Sequence, residues 1–192
     1  MPGKRIGLFF GSFNPVHNGH LMIANYMAEF GGLDEVWFVI SPLNPFKTGT
    51  GMLADYHRRE LLMRAIGDYP RLRVSSVEFR LPKPSYTIDT MRYLKAEHPE
   101  HDFIIIMGSD QLPEFHHWKE SEQLLLNWKI LVYPRPGYVE NRFSHPSVAF
   151  VKAPLLEISS SFIRQSISEG KDIRFFLPLM TWEYLDEMNF YR

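Results

Sequence analysis

A chain of 192 residues, 45% hydrophobic and 22% charged, has the length of one domain and enough apolar side chains for a sizeable core. Its 21 basic and 22 acidic residues leave a formal charge of -1, which argues against wrapping a long nucleic acid but allows a local site for a nucleotide-sized anion. Cysteine is absent, so a disulfide framework, a thiolate zinc site and a cysteine nucleophile are excluded together, and the composition suits a reducing cytoplasm.

The first apolar run, residues 6–10, is too short and too soon interrupted by Gly11, Ser12 and Asn14 to be a signal peptide. No later stretch approaches the roughly 20 apolar residues of a membrane span, so a soluble protein without a membrane partner is expected. Further runs at residues 36–40, 103–107, 130–133 and 148–151, and a weaker one at 72–77, are bounded by Gly, Pro or Ser. They predict buried strands of a mostly parallel sheet. Between them, apolar residues recur at helical spacing near 21–30, 56–68, 88–98 and 120–126. Alternation of this kind predicts a doubly wound α/β sheet with helices on both faces. Pro134-Arg135-Pro136-Gly137 punctuates the end of one strand, and beyond Pro154 the pattern becomes helical, at 159–168 and 179–188. One domain over 1–192 is expected, with a helical C-terminal part from about 155. In such sheets the ligand crevice lies at the carboxyl ends of the strands, so polar motifs following strands are the ones to read for chemistry.

Gly11-Ser12-Phe13-Asn14-Pro15-Val16-His17-Asn18-Gly19-His20 follows the first strand and opens the first helix. Glycine permits close approach of backbone to a ligand, and a helix N-terminus offers unpaired N–H groups and a positive dipole end to phosphate. His17 and His20 are three residues apart, so both rings can serve one anion, as hydrogen-bond donors and, if protonated, as charges. Two histidines without a third ligand make a poor zinc site, and the spacing is neither GxGxxG nor a P-loop.

This segment resembles the HxGH signature of the adenylyl- and cytidylyl-transferases, and four further segments appear in that family's order. Ser41-Pro42-Leu43-Asn44-Pro45-Phe46-Lys47 is similar to its Pro-rich loop ending in a phosphate-binding lysine. Pro84-Ser85-Tyr86-Thr87-Ile88-Asp89-Thr90 is similar to the SYTxxT element of nicotinate-nucleotide adenylyltransferases. Gly108-Ser109-Asp110 with Phe115-His116-His117-Trp118, and Ile158-Ser159-Ser160-Ser161-Phe162-Ile163-Arg164, are similar to their GxD and Trp elements and their ISSTxIR box.

The resemblance implies a Rossmann-like nucleotidyltransferase joining ATP to nicotinate mononucleotide, with pyrophosphate released and magnesium carried on the ATP phosphates. ATP contacts are implied for Gly11, Ser12, Phe13, His17, Gly19 and His20, and for Gly108, Asp110, Ile158, Ser160, Ser161 and Arg164. Contacts to the mononucleotide are implied for Asn14, Asn44, Lys47, Tyr86, Thr87 and Trp118; the catalytic set is His17, His20, Lys47 and Arg164. No protein metal ligand is assigned, and a homo-oligomer is compatible with the sequence. Departures from the family's usual residues are Asn14 for Asp, Ser161 for Thr, and Asn-Pro-Phe-Lys for a Pro-Pro-His-Lys type loop. They keep hydrogen-bonding capacity, and bear on substrate preference more than on reaction type.

Each of these residues also has a plainer role open to it. Ser85 or Thr87 caps the helix that follows, and Asp110 caps the next turn instead of meeting ribose hydroxyls or a magnesium-bound water. Trp118 packs in the core instead of stacking on a pyridine ring. Helix capping accounts for one of the three serines before Arg164, whose guanidinium suits phosphate oxygens. His116 and His117 are expected to be structural or exposed. Rival activities are a transferase of the same superfamily using nicotinamide mononucleotide, phosphopantetheine or a cytidylyl donor, and a nucleotide-binding regulator without chemistry.

Overall fold

The computed structural model describes residues 3–42, 51–138 and 143–192. Within these residues six strands form one sheet: β1 (Arg5–Gly11), β2 (Glu35–Ile40), β3 (Leu72–Ser75), β4 (Asp102–Gly108), β5 (Lys129–Tyr133) and β6 (Val148–Phe150). Every pairing is parallel, in the order β3-β2-β1-β4-β5-β6. β1 is central, with Ile6 opposite Glu35 on one side and Phe103 on the other. The chain winds outward from β1 to β3, then returns to lay β4 against β1. The order therefore reverses between β1 and β4, and the crevice opens at that point.

Among the described residues six α-helices cover the sheet: α1 (Asn18–Phe30), α2 (Asp55–Ile66), α3 (Thr87–Glu97), α4 (Ser121–Asn127), α5 (Ser160–Ser168) and α6 (Leu179–Glu187). Alternate residues of the buried strands supply two separate cores, as a period of two requires. Phe9, Phe38 and Ile106 face the core shared with α1, α2, α5 and α6; Leu8, Val39 and Ile105 face the one shared with α3 and α4. Strands buried on both faces explain why the sequence shows continuous apolar runs without alternation. α5 and α6 belong to the first core through Ile163, Ile167 and Leu185, each contributing about 1.5–3 kcal/mol by burial. Thr181 Oγ1 adds a bond to Leu61 O, at 3.4 Å. Among the described residues no helix is long and apolar enough to cross a membrane.

Three expectations shift in ways that matter for the site. α1 starts at Asn18 rather than near 21, because His17 takes an extended backbone and occupies the N-cap position. The run at 72–77 divides: β3 stops at Ser75, and Val77–Phe79 forms a 3-10 turn that buries Glu78. Neither Ser85 nor Thr87 caps α3, since Tyr86 holds the cap position and the Ser85 hydroxyl donates to Glu78 instead.

Candidate active site

A cleft of about 490 Å³ opens at the carboxyl ends of β1, β4 and β5. Its walls include Gly11, Ser12, Phe13, Asn14, His17, Gly19 and His20 from the first turn, Asp110 beyond β4, and Ile158, Ser160, Ser161 and Arg164 around α5. Eleven of the twelve residues assigned to ATP thus meet in one place, although more than 140 positions separate the first turn from α5.

The two histidines are held by the helix start itself. His17 N–H donates to His20 Nδ1 at 3.3 Å, which leaves the His20 ring proton on Nε2. The rings stack with centroids 3.7 Å apart and 25° between planes. Gly19 makes room for this, because a Cβ there would lie 3.0 Å from His17 Nδ1 and 3.1 Å from its Cε1. Phe13 (φ 47°) sits in the left-handed region, a conformation that costs a bulky residue of order 1–3 kcal/mol. Its ring is buried edge-on against His20 and Phe38, which holds it there. His17 is 3% exposed, and its Nδ1 has no hydrogen-bond partner among the described residues. Burial, helped by the Arg135 guanidinium, pushes its pKa down to about 3. In the free protein His17 is therefore a neutral donor, not the imidazolium that the sequence left open.

Asp110 does not cap a helix. It lies inside a 3-10 turn, and its Oδ1 is buried without a hydrogen-bond partner among the described residues. Gly108, the twelfth ATP residue, lies behind it rather than on the wall: a Cβ there would stand 2.2 Å from that oxygen. Arg135 Nε is 3.9 Å from Oδ1, too far for a hydrogen bond but near enough to balance its charge. Asp110 is the only acid lining the cleft among the described residues, so the site holds no carboxylate cage. That donor set fits a cation carried by phosphates and reached from Asp110 through water. A separate group, His98, Glu100 and His101, lies at the amino end of β4, away from the cleft. There His101 Nδ1 accepts from Lys4 N–H, at 3.3 Å, which keeps the ring proton on the nitrogen facing Glu100 and disfavours a metal.

The three serines before Arg164 divide the labour. Ser159 caps α5 by accepting from Phe162 N–H at 3.1 Å, Ser160 Oγ donates to Pro15 O at 2.8 Å, and Ser161 Oγ accepts from Arg164 at 3.3 Å. Arg164 also donates to Asn14 O at 2.8 Å. Asn14 itself, expected at the mononucleotide, uses its side chain within the protein. Its Oδ1 accepts from Leu53 N–H at 3.0 Å and Tyr191 O–H at 2.7 Å, and its Nδ2 donates to Gly51 O at 3.0 Å. Aspartate lacks the donor that reaches Gly51, which accounts physically for asparagine here.

Sequence reasoning missed several residues. Arg135 and Tyr133 line the cleft at the end of β5, where a residue following a parallel strand is a readable signal. Fully buried Arg58 donates to Ser12 O at 2.7 Å, Ser41 O at 3.1 Å and Leu53 O at 3.1 Å, and pairs with Asp55. It ties the first turn to both strands of chain flanking 43–50. The mononucleotide set is only partly placed. Asn44 and Lys47 lie outside the described residues. Tyr86, Thr87 and Trp118 do not line the cleft: Thr87 opens α3, Lys119 Nζ stands 5.0 Å over the Tyr86 ring, and half-buried Trp118 packs on Phe115. His116 and His117 are exposed, with His117 on Glu114, as expected.

Known proteins align with this picture. The Cytidylyltransferase-like family model matches residues 8–166. A relative from Christiangramia forsetii named "Probable nicotinate-nucleotide adenylyltransferase" is 48% identical over 192 residues, covering 98% of this chain and 99% of the relative. One of the same name from Bacteroides fragilis is 52% identical over 178 residues, covering 92% and 89%. Among solved structures, Plasmodium falciparum nicotinic acid mononucleotide adenylyltransferase complexed with NaAD superposes with a TM-score of 0.81 at 22% identity, over 98% of this chain and 97% of that one, a likeness of fold. Divalent cations serve nucleotidyltransferases of this family. With a family match from the first strand to α5 and relatives near half identity along the whole length, the chain belongs to the cytidylyltransferase-like family, among its nicotinate-nucleotide adenylyltransferases.

Proposed function

We propose that this protein transfers the adenylyl group of ATP to nicotinate mononucleotide, giving deamido-NAD and pyrophosphate, as a cytoplasmic enzyme of NAD biosynthesis built as one nucleotidyltransferase domain. The observation that carries this reading is the stacked His17–His20 pair opening onto a cleft walled by Arg164, Arg135 and Asp110. Such a site suits a polyphosphate, and the hydrogen bonds of Ser159, Ser160 and Ser161 go to Phe162 N–H, Pro15 O and Arg164, pairing none of them with a general base for covalent catalysis.

The chemistry is a single displacement. An oxygen of the mononucleotide 5′-phosphate forms a bond to the α-phosphorus, the bond from that phosphorus to the bridging oxygen breaks, and its electron pair leaves on pyrophosphate. The nucleophile is already anionic near neutral pH, so no general base is needed, and rate enhancement rests on positioning and on charge stabilisation. His20 Nε2–H and neutral His17 donate to phosphate oxygens. Arg164, aimed by Asn14 O and Ser161, and Arg135 supply fixed positive charge. Lys47 is assigned to the same work from the mononucleotide side. Asp110, the acid on the cleft wall, would hold the water shell of a divalent cation carried on the substrate phosphates, and magnesium bound there would supply neutralisation of charge on the departing pyrophosphate.

Stereochemistry tests the mechanism. ATP made chiral at the α-phosphorus by one sulfur should give a dinucleotide of inverted configuration. Retention would require a covalent adenylyl-enzyme and would overturn the single displacement.

A further inference from the structure

Glu78 occupies the 3-10 turn after β3 and is 2% exposed. Its carboxylate accepts from Ser85 Oγ at 2.9 Å, from Thr90 Oγ1 at 2.8 Å and from the Ser41 hydroxyl. No cation is among these partners, and burial pushes its pKa above the usual carboxylate value. A buried acid held by hydroxyls alone is expensive, yet these donors come from two segments, the end of β2 and the start of α3. Ser41 follows β2, Ser85 precedes α3, and Thr90 lies in the first turn of α3. Ser41 is anchored in turn: its N–H donates to Gly11 O at 3.0 Å, and its carbonyl accepts from Arg58. Glu78 therefore joins the start of α3 to the strand ends that carry the nucleotide cleft. The wall formed by α5 is held by other bonds, from Arg164 to Asn14 O and from Ser160 to Pro15 O.

We propose that Glu78 is a positioning residue for the acceptor mononucleotide: it fixes residues 85–90 against the end of β2, and so sets the place of the Tyr86–Thr87 backbone relative to the ATP cleft. This rests on the activity proposed above. Glu78 touches no reacting atom and acts through Ser85, Thr90 and Ser41. Its loss should weaken binding of the mononucleotide while sparing ATP, a split that general destabilisation does not produce.

The test is steady-state kinetics with each substrate varied in turn, for Glu78→Ala, Glu78→Gln and Ser85→Ala. Glu78→Ala should raise KM for nicotinate mononucleotide about tenfold, with KM for ATP and kcat within about threefold of wild type. Glu78→Gln should recover most of that loss, since an amide oxygen still accepts and hydroxyls can accept in return. Ser85→Ala removes one donor without burying a new group, and should raise the same KM by about threefold even if Glu78→Ala does not fold. Both KM values rising together, or a mononucleotide KM unchanged in Ser85→Ala or in folded Glu78→Ala, would overturn the role of Glu78. A wild type inactive with the mononucleotide would instead sink the underlying activity and this proposal with it.

Discussion

The imidazoles of His17 and His20 lie nearly face to face, 3.7 Å between centroids, with Gly19 leaving the space in which the His17 ring rests. Two imidazolium ions so close would repel strongly, so the stack requires at least one neutral ring, and burial supplies that at His17. The pair joins the helix start to the cleft, and its geometry depends on one missing methyl group.

Gly19→Ala tests that dependence. In an α-helix this change normally stabilises by about 0.5–1 kcal/mol. Here the new Cβ would press on His17 at 3.0 Å, so the ring must move by a few tenths of an ångström. Turnover should fall by about tenfold or more while Tm changes little, because catalysis tolerates displacement less than folding does. Unchanged kcat would show that the stacked geometry is not used.

His20→Ala removes a donor at the cleft wall and the ring nitrogen that accepts from His17 N–H. Turnover should fall by about 10²–10³-fold, as for loss of one preorganised donor, with the circular dichroism spectrum intact. Near-normal turnover would end the assignment of His20.

Stability should carry the signature of a buried neutral histidine. His17 titrates near 6.5 when unfolded and at about 3 in the native state, so between those values the unfolded chain binds the extra proton. Its contribution is complete above pH 6.5 and is lost as pH falls toward 3, by about 4–5 kcal/mol across the whole window. Urea unfolding of wild type and His17→Gln between pH 7.5 and 4 separates this from the carboxylates. The wild-type curve should fall more steeply by about one proton, and parallel curves would contradict the assignment.

Arg58→Ala should be severe. It strips donors from the carbonyls of Ser12, Ser41 and Leu53 and leaves a cavity where the largest fully buried side chain stood. A loss of about 3–5 kcal/mol is expected in urea unfolding, and Arg58→Lys should restore only part, since an ammonium cannot fork onto three carbonyls. A loss below about 1 kcal/mol would mean that these bonds are replaced by solvent.

What could be read in the sequence follows from what the physics writes locally. Strands buried on both faces appear as runs such as residues 103–107, and the phosphate turn appears because His17, Gly19 and His20 are neighbours in sequence. Arg58 and Glu78 stayed hidden because most of their partners are backbone carbonyls and hydroxyls, which carry no charge pattern, and some, such as Ser12 and Ser41, lie far along the chain; on a helix and in a turn, both read as surface charge. Tyr191, whose hydroxyl reaches Asn14 across 177 positions, carries no local signal at all. Asn14 shows the converse: its place in the motif pointed to a substrate, and the fold spends its side chain on Leu53, Tyr191 and Gly51.

Pyrophosphate release with ATP and magnesium, measured in parallel with nicotinate and nicotinamide mononucleotides, tests the central claim most directly. Release is expected with the nicotinate substrate, at a kcat/KM clearly higher than with the nicotinamide one. Folded protein that binds ATP yet releases no pyrophosphate with either would contradict it, and a higher kcat/KM for the amide would overturn the choice of acceptor.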